Sequence, residues 1–322
     1  MSMIVVIGEA LIDMIQSQSQ PEKFTAVPGG ANANVAFALA RREQPHRFLG
    51  RISGDLFGKQ IKKHLSDNGV NLELSISAEE QSTLAFASID DQGVADYSFY
   101  VNSTADWMWR AEELPSIEIL QNLEASAVQY GCLTMAMSPG NAVIENWLAD
   151  IFESDLLTLS HDINVRPALG MDAESERLRV EKLNRISTII KASDADIEWL
   201  YPDSELEDVA KEWLGGLPKL VVVTKGAEGA VLFRGDDQLE LPGLQIDLED
   251  TVGAGDTFMA NFLVELENIA GLGDQPLKRI ERLDIEDIER AAKIAVTASA
   301  IACERAGAQP PTLREIEQKL EQ

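Results

Sequence analysis

Short apolar runs alternate with amphipathic helical stretches along most of this chain, and that rhythm restricts the fold more than any single motif. Ile4-Val5-Val6-Ile7 ends at Gly8 and reads as a buried strand. Further strands are expected over 128–133, 156–160, 189–191 and 220–224. The spacing predicts helices over 33–42, 56–68, 141–152, 174–186 and 206–213. A long helix is expected over 287–305, stopped by Gly307 and the prolines after it. This pattern predicts an α/β fold, a doubly wound and mostly parallel sheet with helices on both faces. In such sheets ligands bind beyond the carboxyl ends of the strands.

One region breaks the rhythm. Between Ser82 and Tyr100 the pattern is strand-like, with a turn at Asp91-Gln92-Gly93. Phe86, Ile89, Tyr97, Phe99 and Val101 fit two strands of a hairpin, and Met14 to Val27 adds strand character. The expectation is one domain over 1–322 with a small β lid from about 14–27 and 82–106.

Composition narrows the function classes. A hydrophobic content of 45% is ample for a core, and the net charge of −27 disfavours nucleic acid and anionic membrane. It would also repel a free nucleotide, which would need Mg²⁺ and local positive groups. The acids are spread along the chain and read as a solvated surface; adaptation to high salt is a further reading. Cys132 and Cys303 show no metal or redox spacing, and His46, His64 and His161 form no ligand cluster. The start enters an apolar strand without a basic leader, and no run is long enough to span a membrane. A cytoplasmic location is therefore expected.

Asp250-Thr251-Val252-Gly253-Ala254-Gly255-Asp256-Thr257-Phe258 carries the most chemistry. Gly253 and Gly255 permit a tight turn with unshielded N–H groups. The helix expected from about Thr257 to Glu267 points its positive end at the same spot. Together they make an anion site suited to a phosphoryl group, with Asp256 beside it as a proton acceptor. The same stretch also reads as an ordinary helix entry capped by Asp256.

Other segments have their own chemistry. Asp13 follows the first strand, where its carboxylate could accept hydrogen bonds from two hydroxyls, or serve as a loop acid. Gly29-Gly30 allows close backbone approach, and Asn34 offers both donor and acceptor; the alternative is a plain turn into a helix. Asp162, Asn164 and Arg166 alternate after a strand and would share one face. Arg166 suits phosphate oxygens or a sugar, or else a surface ion pair. Thr224-Lys225-Gly226-Ala227-Glu228-Gly229 ends a strand with bare backbone, fitting nucleotide contacts or a tight β-turn. Neither a Walker A motif nor a GxGxxG after the first strand is present, which disfavours a P-loop kinase and a dinucleotide-dependent oxidoreductase.

Read in order, these segments resemble the PfkB (ribokinase-like) sugar kinases along nearly the whole chain, and bacterial fructokinases most. The carrying residues are Gly8-Glu9-Ala10-Leu11-Ile12-Asp13, Gly29-Gly30-Ala31-Asn32-Ala33-Asn34-Val35-Ala36 and Gly50 to Gly58. Asp162 to Pro167, Thr224 to Gly229, Asp250 to Asp256 and Cys303 to Pro311 complete them. The resemblance implies ATP-dependent phosphorylation of a sugar hydroxyl, most readily of D-fructose, with Asp256 as base. It implies an anion hole from the amides of Gly253, Ala254, Gly255 and Asp256, with the helix dipole keeping Asp256 ionised. Arg166 would assist catalysis, and Asp13, Gly29, Gly30, Asn34, Phe99, Asp162 and Asn164 would bind the sugar. Thr224, Gly226, Gly229 and Gly255 would bind ATP. Mg²⁺ would be held through water near Asp196, K⁺ near the Asp250 loop, and the lid edges could pair two subunits.

The chain departs from the family pattern in three places. Ser193-Asp194-Ala195-Asp196 stands where many relatives carry Asn-x-x-Glu, so Asp196 reaches about one methylene less. Asn32 replaces a common proline, and Val101 follows the lid aromatics where some relatives carry arginine. Ribose, 2-keto-3-deoxygluconate and nucleosides are alternative substrates, and a non-catalytic sugar sensor is an alternative function. A keto acid should demand a further cation near the lid, which Val101 does not offer.

Overall fold

β1 (Met3–Ile7) puts Ile4 and Val6 into one core and Val5 and Ile7 into another. A strand buried on both faces needs helices above and below it, and the computed structural model shows that arrangement. It describes residues 2–17, 19–89, 95–217 and 219–321. The next strands are β2 (Leu11–Gln16), β3 (Phe24–Gly29), β4 (His46–Leu49), β5 (Arg51–Ser53), β6 (Ile76–Ala78), β7 (Leu84–Ile89) and β8 (Ala95–Tyr100). Then come β9 (Ala125–Gly131), β10 (Thr158–Asp162), β11 (Ile189–Ser193), β12 (Leu220–Thr224), β13 (Gly229–Arg234) and β14 (Asp237–Pro242). The helices are α1 (Ala31–Arg41), α2 (Leu56–Asp67), α3 (Ile117–Asn122), α4 (Cys132–Ala136), α5 (Gly140–Ser154) and α6 (Ala173–Ile186). They continue as α7 (Asp194–Leu200), α8 (Leu206–Leu214), α9 (Ala254–Asn268), α10 (Pro276–Arg282), α11 (Ile285–Cys303) and α12 (Leu313–Leu320).

The main sheet has eight strands in the order β14-β13-β12-β11-β10-β9-β1-β4. From β4 to β12 neighbours pair in parallel, while β13 and β14 run antiparallel at one edge. The doubly wound, mostly parallel expectation holds. The antiparallel edge and β4 were not expected from the pattern, because their apolar runs are short and carry charges such as Arg47 and Glu240. The chain leaves β1 for β4 on one side and returns to β9 on the other. The order reverses there, and the crevice beyond Gly8 and Gly131 is the natural ligand site.

α9 is buried nearly all round, through Phe258, Met259, Phe262, Leu263 and Leu266. A helix that is apolar on every side belongs inside the protein. It packs between α1 and α11 and delivers its N-terminus to the crevice.

The segments expected to form the lid make a separate four-stranded sheet in the order β3-β2-β7-β8. β2 pairs antiparallel with β3 and parallel with β7, and β7 pairs antiparallel with β8. The expected turn at Asp91-Gln92-Gly93 lies outside the described residues. Two carboxylates fix the base of the lid. Asp55 accepts from Ser82 N at 2.9 Å and from Ser82 Oγ at 2.7 Å. Asp106 accepts from Ala10 N at 2.9 Å and from Thr83 Oγ1 at 2.5 Å.

Candidate active site

The glycine turn forms one wall of the crevice. Gly253 has φ of 74° and caps α9, which begins at Ala254 instead of near Thr257 as the sequence suggested. The left-handed Gly253 makes the sharp entry, so Ala254-Gly255-Asp256 already belong to the helix. A Cβ at Gly253 would meet Ala308 Cβ at 2.8 Å. N–H groups in a first helical turn have no partner within the helix. Gly255 and Asp256 therefore fit the anion-hole expectation. Ala254 fits it less well, because its N–H donates to Thr251 O at 3.2 Å.

Asp256 is 6% exposed, and its Oδ2 accepts from Asn34 Nδ2 at 2.8 Å. Two residues more than 200 positions apart in sequence thus meet in the crevice. The expectation that the helix dipole keeps Asp256 ionised needs correction. Burial, reinforced by the nearby Asp162 charge, pushes its carboxyl up to about 7, against the Asn34 bond, Lys191 and Arg166.

Asp13 lies in β2, and burial raises it to about 6, with Arg166 acting in the opposite direction. Gly29, on the neighbouring strand, makes room for it: a Cβ there would sit 2.3 Å from Asp13 Oδ2. Gly30 caps α1 with φ of 112°, and a Cβ would strike Glu9 O at 2.5 Å. Glu9 itself is fully buried. It accepts from Ala31 N at 3.0 Å and Thr134 Oγ1 at 2.6 Å, tying the first turns of α1 and α4 together. Its placement gives the acid of the Gly8-Glu9 motif a bracing role between α1 and α4. No periodicity could have shown it.

Asp162, Asn164 and Arg166 do not share one extended face. Asn164 has φ of 43°, which breaks the alternation just after β10. Asn164 Oδ1 instead accepts a hydrogen bond from Arg166 Nη1, which also donates to Val165 O at 3.0 Å. Arg166 is thereby held near Asp196, Asp256 and Asp13. Asp162 has a partner that the sequence reading missed. Lys191 Nζ lies 2.8 Å from each of its oxygens, and both residues are about 4% exposed. A single lysine within the strand Ile189-Ile190-Lys191-Ala192 was the available signal.

Asp196 caps its own helix start, accepting from Ser193 N at 2.7 Å, and takes Val165 N at 3.0 Å on its other oxygen. Among the described residues no three His, Cys, Asp or Glu side chains are placed to hold a metal ion. Mg²⁺ keeps several waters and is held by one or two carboxylates plus substrate phosphates. One carboxylate acting through water is compatible with that chemistry.

Thr224 sits opposite Ser193 in the β11–β12 register, at the same edge of the crevice. Gly226 has φ of 52° and open space where a Cβ would point. Gly229 differs: a Cβ would lie 2.0 Å from Leu241 O, so the close antiparallel pairing with β14 already requires this glycine. Phe99 is half-buried in β8 and packs with Val101 against Leu11, Trp107 and Cys132 under the lid.

Residues 1–315 match the pfkB family carbohydrate kinase pattern. The chain belongs to the PfkB carbohydrate kinases. It is 33% identical to a fructokinase of Rhizobium leguminosarum bv. trifolii, over 86% of each chain. It is 30% identical to Fructokinase-1 of Oryza sativa subsp. japonica, over 98% of this chain and 96% of that one. Among solved structures, the ATP-bound fructokinase of Xylella fastidiosa superposes with a TM-score of 0.88 at 25% identity, covering 99% of this chain and 98% of that one. The fructokinase of Vibrio cholerae O395 with fructose, ADP and calcium shares the fold, with a TM-score of 0.81 at 23% identity and coverage of 99% of both chains. Among the described residues, no helix of this PfkB kinase is long and apolar enough to cross a membrane.

Proposed function

We propose that this PfkB kinase transfers the γ-phosphoryl group of ATP to a hydroxyl of D-fructose. The observation that carries the reading is Asp256 in the first turn of α9, buried and fixed by Asn34 at 2.8 Å. With Oδ2 engaged, Oδ1 is left to take the proton of the attacking hydroxyl. The N–H groups of Gly255 and Asp256 face the charge that gathers on the phosphoryl group. Arg166 adds a cation held by Asn164 at the same site. Asp13, Gly29, Gly30, Asn34, Asn164 and Phe99 contact the sugar in this reading, while Thr224 and Gly226 flank the nucleotide.

Mg²⁺ would be held near Asp196 through water. When bound with the nucleotide it neutralises phosphate charge. A monovalent cation such as K⁺ fits beside the loop that Asp250 braces. There Asp250 accepts from Val252 N at 3.0 Å and from Gly307 N at 2.8 Å. β3 and β8, the outer strands of the small sheet, offer a surface for pairing two copies. A cytoplasmic location suits the two unpaired cysteines.

Fructose is favoured because the relatives above are fructokinases and because Val101, half-buried beneath the lid, offers no cation to a keto acid. The test is ADP release with Mg-ATP across fructose, ribose, glucose, 2-keto-3-deoxygluconate and adenosine. The highest kcat/KM is expected with fructose. A higher value with another acceptor would replace the sugar, and no acceptor-dependent ADP from any would sink the kinase reading. Asp13→Ala should weaken fructose binding in calorimetry far more than ATP binding.

A further inference from the structure

Lys191 has no part in the mechanism so far, and its position is costly. It lies in β11 between Ile190 and Ala192, both fully buried, and is itself 4% exposed. A cation in such a place needs a strong reason. The ion pair with Asp162 supplies one, but an apolar pair of similar size would serve a purely structural purpose as well.

Two further observations point beyond the ion pair. The ammonium carries three donors. Asp162 takes its bonds at 2.8 Å on two oxygens, and among the described residues no other protein acceptor is bonded to it. The second observation is where Nζ lies. A Cβ built on Gly255 would be 3.1 Å from Nζ and 3.7 Å from Cε. Nothing separates the ammonium from the second residue of α9, whose N–H belongs to the anion hole proposed above. The absence of a side chain at Gly255 thus leaves the room that Lys191 occupies against the turn.

We propose that Lys191 is an electrostatic partner of the glycine turn, its ammonium seated beneath Gly255 to stabilise the charge on the phosphoryl group in transit. This rests on the phosphoryl-transfer reading above. In that step the sugar oxygen forms a bond to the γ-phosphorus, and the bond from phosphorus to the β,γ-bridging oxygen breaks. The electron pair leaves with ADP, and the hydroxyl proton goes to Asp256. Lys191 keeps its proton throughout. Burial works against that charge, but Asp162, with Asp196 and Asp256, holds the lysine pKa above its ordinary value. Lys191 is a positioning residue in this scheme, because it acts through the turn without touching the sugar.

The test is a double-mutant cycle on the full-length protein, using whichever acceptor turns over best. Lys191→Met is compared with wild type, and Asp162→Asn/Lys191→Met with Asp162→Asn. The proposal expects removal of the lysine to lower kcat by roughly 10²-fold in both backgrounds, the scale of losing one anion-hole donor. KM for the sugar should change less than about threefold. If Lys191 only neutralises Asp162, the loss disappears in the Asp162→Asn background, and that result overturns the proposal. Should Lys191→Met fail to fold because it strands the Asp162 carboxylate, the Asp162→Asn/Lys191→Met protein, which strands no buried charge, is compared directly with wild type: a loss of roughly 10²-fold in kcat supports the proposal, and a wild-type kcat overturns it. An acceptor other than fructose would overturn the sugar assignment while leaving this cycle intact.

Discussion

Two buried aspartates, one in the crevice and one at the base of the lid, have nearly the same environment by one measure and opposite meanings by another. Asp256 and Asp106 are both almost fully buried, and burial pushes each carboxyl up to about 7. Their neighbours differ. Asp256 sits in the first turn of α9 with Asn34 on one oxygen and the charges of Asp162, Lys191 and Arg166 around it. Asp106 is closed in by Thr83, Thr104 and the Ala10 amide, with the charge of Glu9 nearby. A raised carboxyl is therefore not a mark of catalysis by itself. In the proposed mechanism the cations and unshared amides around Asp256 suit it to act as a base, whereas the hydroxyls around Asp106 suit a bracket.

The largest effect that could break this comparison is on turnover. Asp256→Asn should lower kcat by roughly 10²–10⁴-fold, the scale of a lost general base, while sugar and nucleotide still bind. Asp106→Asn should leave kcat within about threefold. Steady-state kinetics on the two variants compare them directly, and a near-normal kcat for Asp256→Asn would remove it from the mechanism. A smaller effect separates them by pH. The base must be ionised, so kcat/KM should fall by about tenfold per pH unit below a midpoint near 7. Asp106→Asn should leave that midpoint in place. If the midpoint moves with Asp106 and not with residues around Asp256, the roles are exchanged.

Both aspartates could be named in the sequence, but only one could be read. Asp256 follows two glycines ahead of an apolar helix, a local pattern with a physical meaning. The parallel order of strands was legible for the same reason, since runs such as Leu220-Val221-Val222-Val223 sit at regular intervals. Asp106 gains its meaning only from Ala10, 96 positions away, and from Thr83 across the base of the lid. Lys191 and Asp162 likewise meet across neighbouring strands, and Asn164 leaves its expected face through a positive φ. Gly229 shows the converse. Its motif reads as a ligand contact, yet the packing of β14 already accounts for it. Local spacing carries local structure, and contacts made by the fold carry the rest.

The smallest effect is on stability, and it tests why Asp106 is there. Thr83 Oγ1 lies 2.6 Å from Thr104 Oγ1, and Thr104 donates to Val101 O at 3.2 Å. A proton on Asp106 would let donors run in one direction, from Asp106 to Thr83 to Thr104 to Val101. An ionised Asp106 needs Thr83 to donate toward it, and then Thr83 Oγ1 and Val101 O compete for the single Thr104 proton. The folded carboxyl is raised from 3.8 to about 7, so the native state binds the extra proton between those values. The stability Asp106 contributes is therefore complete below about pH 4 and is lost as pH rises through 7, on the order of a few kcal/mol. Asn has a permanent donor for Thr83 and an oxygen for the Ala10 amide, so Asp106→Asn should remove this part of the pH dependence. Thermal unfolding at pH 5 and pH 8 should show a smaller drop in Tm for the variant than for wild type. An equal drop in both would mean that Asp106 is ionised in the folded protein and that the base of the lid is held by charge.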